Sequence, residues 1–529
     1  MQKTREWLIQ YSLPILTAFL LVTSFIPFPP WALFLGWTPL MWFWISRTKT
    51  WKEVFWGGWI TQFTFSMIGF HWIAHTAHEF GQIPWGVAIL VLLIFSTLVH
   101  LWVPLAGLAW WFLKKYFSPS TSIFLVVICL ILGELTWPSI FAWNFGYPWL
   151  SSRLPGFHLA DTIGFDGLSA ITFLINGWSL WIWTQRSQIK KVIPPTVALV
   201  VFFVSIQLLG YWRSQNLDYP DAEFRVLQVQ ANIGNADKIE AENGKDGYQE
   251  EILRRFLELT QKGLDQFPKT QIIIWPETAF PDFFNSNYKF NELPNRLLSY
   301  LREKNKALIV GAYSKDPPGP GIKNEDRQVY NGLFLIDEYG QYVGDPYHKT
   351  VLLAFGEYYP FTERFPILQK WFDVSNFGRG PGPSLLTWPE HDIRFGAQIC
   401  YEGLYPWFSR ELAKKGANVL VNVTNDSWFG KAFEPKQHLY ITLGRAIETR
   451  IPLIRNTNTG ITTAILADGT LLEQSPLHEE WVGEFKIPYK KNPDPTFYVR
   501  YGHLWPIFIV LALFGLYMIP KRKGSRARK

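Results

Sequence analysis

RFGAQIC, residues 394–400, is an almost unbroken apolar run that stops on a cysteine. NVLVNVT (418–424) repeats the pattern and is followed by Asn425 and Asp426. Six more short apolar or β-branched runs flank this pair: FRVLQVQ (224–230), QIIIWPE (271–277), ALIVGAY (307–313), NGLFLID (331–337), PLIRN (452–456) and TTAILA (462–467). Helix-like segments, such as 247–266 and 293–304, lie between several of them. Near-continuous apolar strands alternating with helices imply an α/β domain whose sheets are covered by helices. In such sheets ligands and chemistry collect at the carboxyl ends of the strands. Glu277 and Cys400 each end a run there. A lone thiol at such a point is either a nucleophile or a strand-packing residue, and spacing alone leaves both open.

Outside this middle region the composition changes. Hydrophobic residues make up 48% of the 529-residue chain and charged residues 18%, and the long uncharged runs lie mostly before residue 213, with one more at the C-terminus. A spanning helix needs roughly 20 mostly apolar residues. Eight stretches qualify as expected spans: 9–27, 30–46, 54–75, 85–113 (with room for a turn at Pro104), 121–138, 167–184, 193–212 and 503–520. Loop charges test the count independently. Lys3 and Arg5 precede the first span; Arg47, Lys49 and Lys52 follow the second. Lys114 and Lys115 follow the fourth, and Arg186, Lys190 and Lys191 the sixth, whereas the alternate loops are nearly bare. This alternation predicts both termini in the cytoplasm and residues 213–502 on the far side of the membrane. The expected division is therefore a seven-span domain (1–212), a catalytic domain (213–502), and an eighth helix with a basic tail (503–529).

The net charge of +7 carries no nucleic-acid signal, because six of the last nine residues are basic and most of the remaining excess sits in short inter-span loops. Two cysteines, Cys129 and Cys400, cannot build a disulfide framework, and Cys129 lies within an apolar run, so Cys400 is the one thiol outside a span. No small-residue cleavage site follows the first apolar run, which reads as a retained anchor. Glu134, near the outer end of the fifth span, is costly without a partner; an ion pair and a snorkelled interfacial position are both open. His71, His75 and His78 have helical spacing that could bind metal, but no second ligand cluster completes a site.

Three segments together resemble the nitrilase superfamily: WPET (275–278) with Glu277, HKTVLLAFGEYYP (348–360) with Lys349, and CYEGLYP (400–406) with Cys400. Their order is that family's Glu, Lys, Cys, at separations of 72 and 51 positions. GYPWL (146–150), QANI (230–233), FGEYYP (355–360) and NVTNDSWFG (422–430), together with the spans, make nearly the whole chain similar to one membrane branch, the apolipoprotein N-acyltransferases. That resemblance implies a polytopic helical domain joined to a nitrilase-like αββα sandwich.

It also implies a ping-pong acyl transfer with no cofactor and no metal. Cys400 would attack an ester of a phospholipid, typically phosphatidylethanolamine, giving a thioester and a lysophospholipid. The α-amino group of a lipoprotein's diacylglyceryl-cysteine would then take the acyl chain. In the resemblance Glu277 is the general base and Lys349 the oxyanion stabiliser. Each role has a physical reason: the thiolate is the nucleophile, a carboxylate must take its proton, and a fixed cation stabilises the tetrahedral oxyanion. Glu357 would orient Lys349 or the incoming amine. Tyr401 would turn its backbone N–H toward the oxyanion, and Glu402 would hold the loop. Where the family often carries a tryptophan several residues after its QGNI-like strand end, this chain has Ile239.

Aromatics crowd the same loops: Phe280, Phe283, Phe284, Phe355, Tyr358, Tyr359, Phe361, Tyr405, Trp407, Phe408, Trp428 and Phe429. Core packing and a membrane-facing gate for acyl chains are both open. The chain is expected to act as a monomer in a bacterial inner membrane. A membrane-tethered amidase using water in the second step is the main rival. A transporter or receptor is a second, but no internal repeat supports it.

Overall fold

The computed structural model describes residues 2–139, 141–242, 247–284, 292–317, 327–353, 356–358 and 377–518. The chain forms two compact units, one of residues 1–78, 83–216 and 500–529, the other of residues 79–82 and 217–499.

The second unit is built on eleven strands among the described residues: β1 (Ala222–Gln230), β2 (Ile272–Ile274), β3 (Ala307–Lys315), β4 (Val329–Ile336), β5 (Tyr347–His348), β6 (Leu385–Trp388), β7 (Ile393–Ile399), β8 (Val419–Thr424), β9 (Leu453–Thr457), β10 (Thr463–Ile465) and β11 (Trp481–Tyr489). They make a six-stranded sheet ordered β11-β1-β2-β3-β4-β5 and a five-stranded sheet ordered β10-β9-β8-β7-β6. At the centre of each sheet three strands run parallel, β1-β2-β3 and β9-β8-β7; the flanking strands are antiparallel. The parallel centres explain the uninterrupted apolar runs, since both of their faces are covered. Helices Tyr248–Gln266 and Glu292–Lys304 supply Ile252, Leu253, Phe256, Leu297 and Leu301 to a core shared with Leu227, Val229, Ile273, Leu308 and Val310.

The inner faces meet through hydrogen-bonded polar side chains. Asn456 of β9 donates to the carbonyls of Ile274 (2.7 Å) and Val229 (3.3 Å), and Gln228 of β1 donates to that of Arg455 (3.4 Å). Helices Pro406–Lys414 and Glu434–Thr449 pack against the second sheet, so the unit is a helix-sheet-sheet-helix sandwich. Eight of its strands overlap the eight apolar runs of the sequence. β5 and β6 are too short for a pattern, and β11 alternates half-exposed with buried residues, as an edge strand does.

The first unit is helical. By length and composition three of its helices among the described residues could cross a membrane: Trp85–Tyr116, Pro119–Thr136 and Ile189–Gln215. The bent pair Phe497–Leu504 and Ile507–Met518 makes a fourth if taken as one span. Ile189–Gln215 leaves Val197, Val200, Val201, Val204, Leu208 and Leu209 exposed, an apolar surface of the kind that lipid covers. The turn expected at Pro104 falls earlier, at residues 99–101. Pro104 sits in the first turn of Trp102–Leu113, where its missing N–H costs nothing. Close helix approach depends on glycine there: a Cβ on Gly58 would lie 2.7 Å from the Cα of Pro104. Glu134 has neutral partners, the Ser169 hydroxyl (2.5 Å) and the Phe145 N–H (3.4 Å). His71 and His78 bond the carbonyls of Ile68 and Ile83.

Candidate active site

Strand register brings the three separated segments together. Ile274 of β2 pairs with Ile309 of β3, Tyr313 of β3 with Asn331 of β4, and Gly332 of β4 with His348 of β5. Glu277, Asn331 and Lys349 therefore stand at one level of the first sheet. In the second sheet Ile399 pairs with Val423, which sets Cys400 level with Thr424. Cys400 begins a short 3-10 turn, Cys400–Leu404, and has a left-handed backbone (φ 54°), a conformation that costs a non-glycine residue of order 1–3 kcal/mol.

Lys349 is the hub. It is 2% exposed, and its Nζ donates to Glu277 Oε1 at 3.1 Å and to Glu357 Oε1 at 2.8 Å. An ammonium has three protons, so one remains beyond these two bonds. Asn331 ties the two carboxylates from the other side, donating to Glu277 Oε1 (2.8 Å) and Glu357 Oε1 (3.2 Å). The backbone N–H of Asn425, from the second sheet, donates to Glu277 Oε2 at 2.9 Å. Glu277 Oε1 thus accepts two hydrogen bonds and Oε2 one, which leaves acceptor capacity on Oε2. Leu353 N–H donates to Glu357 Oε2 at 2.8 Å. Gly311 makes the packing possible: a Cβ there would lie 2.7 Å from the Cα of Glu277.

Burial works against a charge on Lys349, but Glu277, Glu357 and Cys400 outweigh it and hold its pKa well above the ordinary lysine value. Burial, with the charge of Glu277, raises the Cys400 thiol well above its usual range; Lys349 and a hydrogen bond with Thr424 act in the opposite direction. Such a thiol rests protonated at neutral pH and needs a base beside it to become a nucleophile. Glu402 is fully buried. Its Oε1 accepts from Tyr347 O–H (2.7 Å), Thr350 N–H (2.7 Å) and Val351 N–H (2.9 Å), and its Oε2 from Ile399 N–H (2.8 Å). It thereby ties the residue before Cys400 to the two after Lys349. Burial pushes its pKa up to about 7 against these donors. Tyr401 is buried directly after Cys400, its ring 5.8 Å from that of Tyr405.

The structure thus brings Glu277, Lys349, Cys400, Glu357 and Glu402 together, with Tyr401 adjoining. Asn331 and Thr424 escaped the sequence reading. Both sit inside runs legible as strands, and a polar residue at the rim of such a run was the available signal. Of the loop aromatics, Phe280, Phe284, Phe408 and Phe429 are buried core residues, whereas Trp407 is exposed. Phe355, Tyr359, Phe361, the Ile239 side chain and the tail from Lys521 lie outside the described residues. Among the described residues, Asp426, Glu434 and His438 offer ligand atoms within 4.8 Å of one another. Arg455 already occupies Asp426, and His438 Nδ1 stands 3.2 and 3.3 Å from the carboxyl groups of Asp426 and Glu434, so the cluster is filled by its own side chains.

Residues 228–488 match the carbon-nitrogen hydrolase family, and residues 17–178 match the apolipoprotein N-acyltransferase N-terminal domain. The chain is 48% identical to an apolipoprotein N-acyltransferase of Bdellovibrio bacteriovorus over 97% of its own length and 94% of that protein's. It is 28% identical to one from Geobacter metallireducens, over 82% and 81% of the two chains, and 27% identical to apolipoprotein N-acyltransferase 2 of Leptospira interrogans, over 96% and 95%. With a carbon-nitrogen hydrolase sandwich in one unit and apolar helices in the other, the chain belongs to the apolipoprotein N-acyltransferase family.

Proposed function

We propose that Cys400, Glu277 and Lys349 carry out acyl transfer from a phospholipid to the N-terminal amine of a lipoprotein. The enzyme is an N-acyltransferase of the lipoprotein-maturation class. Glu277 Oε2 takes the thiol proton as the Cys400 sulfur attacks the ester carbonyl. The tetrahedral oxyanion is met by the remaining Lys349 proton and the Tyr401 N–H. Collapse expels the lysophospholipid oxygen, which leaves with the proton from Glu277, and the acyl group stays as a thioester. The acceptor amine, neutral when it attacks, gives its proton to Glu277 as the C–N bond forms. The thiolate departs and recovers that proton, and the product is an amide. Glu357 keeps Lys349 aimed, and Glu402 holds the Cys400 turn against the Lys349 segment.

The observation that carries this reading is the buried contact of Lys349 with both carboxylates, within electrostatic reach of the Cys400 thiol. Phosphatidylethanolamine is the favoured donor, a diacylated lipopeptide the acceptor, and the active form a monomer. The apolar stretches of the sequence and the basic loops between them support eight spans in a bacterial inner membrane, with both termini cytoplasmic. The division is 1–212, 213–502 and 503–529, the middle part facing the periplasm. Purified enzyme incubated with phosphatidylethanolamine is expected to gain one acyl mass at Cys400, lost in Cys400→Ser, and to pass it to added lipopeptide. No adduct in the wild type would refute the assignment; free fatty acid without acylated peptide would favour the amidase.

A further inference from the structure

Thr424 ends β8, and the pairing of Ile399 with Val423 carries it alongside Cys400. Its hydroxyl is within hydrogen-bonding reach of the thiol and donates to Asp426 Oδ1 at 3.0 Å. Asp426 is held in turn. Arg455 donates to its Oδ2 at 2.8 Å, and His438 Nδ1 lies 3.2 Å from its Oδ1 and 3.3 Å from Glu434 Oε1. Arg455 also donates to Asn422 Oδ1 at 2.6 Å, and the Asn422 amide donates to the Cys400 carbonyl at 2.8 Å. Gly460 closes the cluster, since a Cβ there would lie 2.0 Å from Asp426 Oδ2. Thr424, Asp426, Glu434, His438 and Arg455 are all buried.

Burying four ionisable groups is costly, and apolar packing of similar volume is often as stable. This cluster, however, ends on the nucleophile by two routes, the hydroxyl beside its sulfur and the amide on its carbonyl. Burial and Arg455 act against an imidazolium, but Asp426 and Glu434 raise the pKa of His438. Asp426, whose own burial is overcome by Arg455 and His438, stays ionised, whereas burial pushes the Glu434 carboxyl up to about 7.

We propose that the Asp426–His438–Glu434–Arg455 cluster positions the nucleophile, by having Asp426 hold the Thr424 hydroxyl against the Cys400 sulfur. In the resting enzyme that hydroxyl accepts from the thiol. When Glu277 takes the thiol proton, the hydroxyl proton turns from Asp426 to the thiolate, and it turns so again when the thiolate leaves the acyl group. Thr424 touches the reacting atom; the other four act through it. The charged or titratable groups facing the sulfur are Glu277, Lys349, Tyr401 and Asp426. The inference rests on Cys400 as the nucleophile.

The test uses the full chain in phosphatidylethanolamine-containing micelles. It reads acyl-thioester formation by intact mass and Cys400 alkylation by iodoacetamide from pH 6 to 10. Thr424→Val is expected to slow thioester formation about tenfold, the scale of one hydrogen bond to a charged group, and to move the alkylation profile to higher pH. Thr424→Ser restores both. Asp426→Asn slows the wild type but adds little to Thr424→Val, as residues acting in series do. If Thr424→Val does not fold, the comparison of Asp426→Asn with Thr424→Ser replaces it. A wild-type rate and profile in Thr424→Val, or fully additive effects, would overturn the proposal. A wild type that forms no adduct would instead overturn the assignment of Cys400.

Discussion

Glu402→Gln changes one atom and the charge, and the structure says what that does. Three donors converge on Oε1 and one on Oε2. A glutamine can keep its oxygen toward Tyr347, Thr350 and Val351 only by turning its NH₂ onto the Ile399 N–H. That buried N–H then faces a donor, which costs about 1–3 kcal/mol, and the three remaining bonds lose their charge assistance. Relief from burying a charge offsets part of this. A net loss of about 2–3 kcal/mol is expected, a fall of roughly 5–10 °C in the melting midpoint for a unit of this size. Loosening the tie between Ile399 and Thr350 also shifts Lys349 relative to Cys400, and a displacement approaching 1 Å can cost up to about 100-fold in rate. The assay is paired: thermal unfolding in detergent, and initial rates of lipopeptide acylation. Tyr347→Phe, which removes one donor of four, is the graded control, with about 1 kcal/mol lost. A Glu402→Gln enzyme that melts and transfers like the wild type would refute the idea that this carboxylate holds the two halves of the site together.

The same residue sets a pH dependence of opposite signs. With its pKa raised to about 7, folded Glu402 takes up a proton as pH falls through 7, while the unfolded chain waits for the ordinary carboxylate range. Its contribution therefore favours folding at low pH and is lost as pH rises through about 7; acylation rate, which needs the charged acceptor, should fall over the same interval. Melting and rate series from pH 8 to 5.5 check this, and Glu402→Gln should flatten the rate trend and weaken the stability trend, the remainder coming from Glu434, whose carboxyl burial likewise pushes up to about 7. Lys349→Met removes the cation from the oxyanion, and thioester formation should drop about 10²–10³-fold; a drop under tenfold would move that role elsewhere. Gly311→Ala places a Cβ 2.5 Å from the Pro276 carbonyl oxygen and 2.7 Å from Glu277 Cα. It should cost about 1–3 kcal/mol and slow thioester formation, whereas Gly86→Ala, with nothing within 4 Å, should alter neither stability nor rate.

Much of the sandwich was legible because its strands are buried on both faces. A run such as QIIIWPE or NVLVNVT has few other uses, and its last polar residue marks a sheet end. Strands β5 and β6 carry no period that two to four residues can show, and β11 alternates weakly. The membrane helices were legible as apolar stretches; among the described residues three to four of them reach spanning length and apolarity. The break in the fourth stretch falls before Pro104, because proline fits a helix's first turn and does not itself require the break.

By itself the sequence determined which side chains are chemically able to react and which stretches avoid water, because residue type and hydrophobic period depend on local neighbours. Tertiary structure alone decided that Asn331 clamps two carboxylates, that Glu402 ties Ile399 to Thr350, and that an ion cluster around Asp426 ends on Cys400. Those relations depend on which strand lies beside which and on the register between them. Registers are set by the packing of whole sheets, which no single segment encodes.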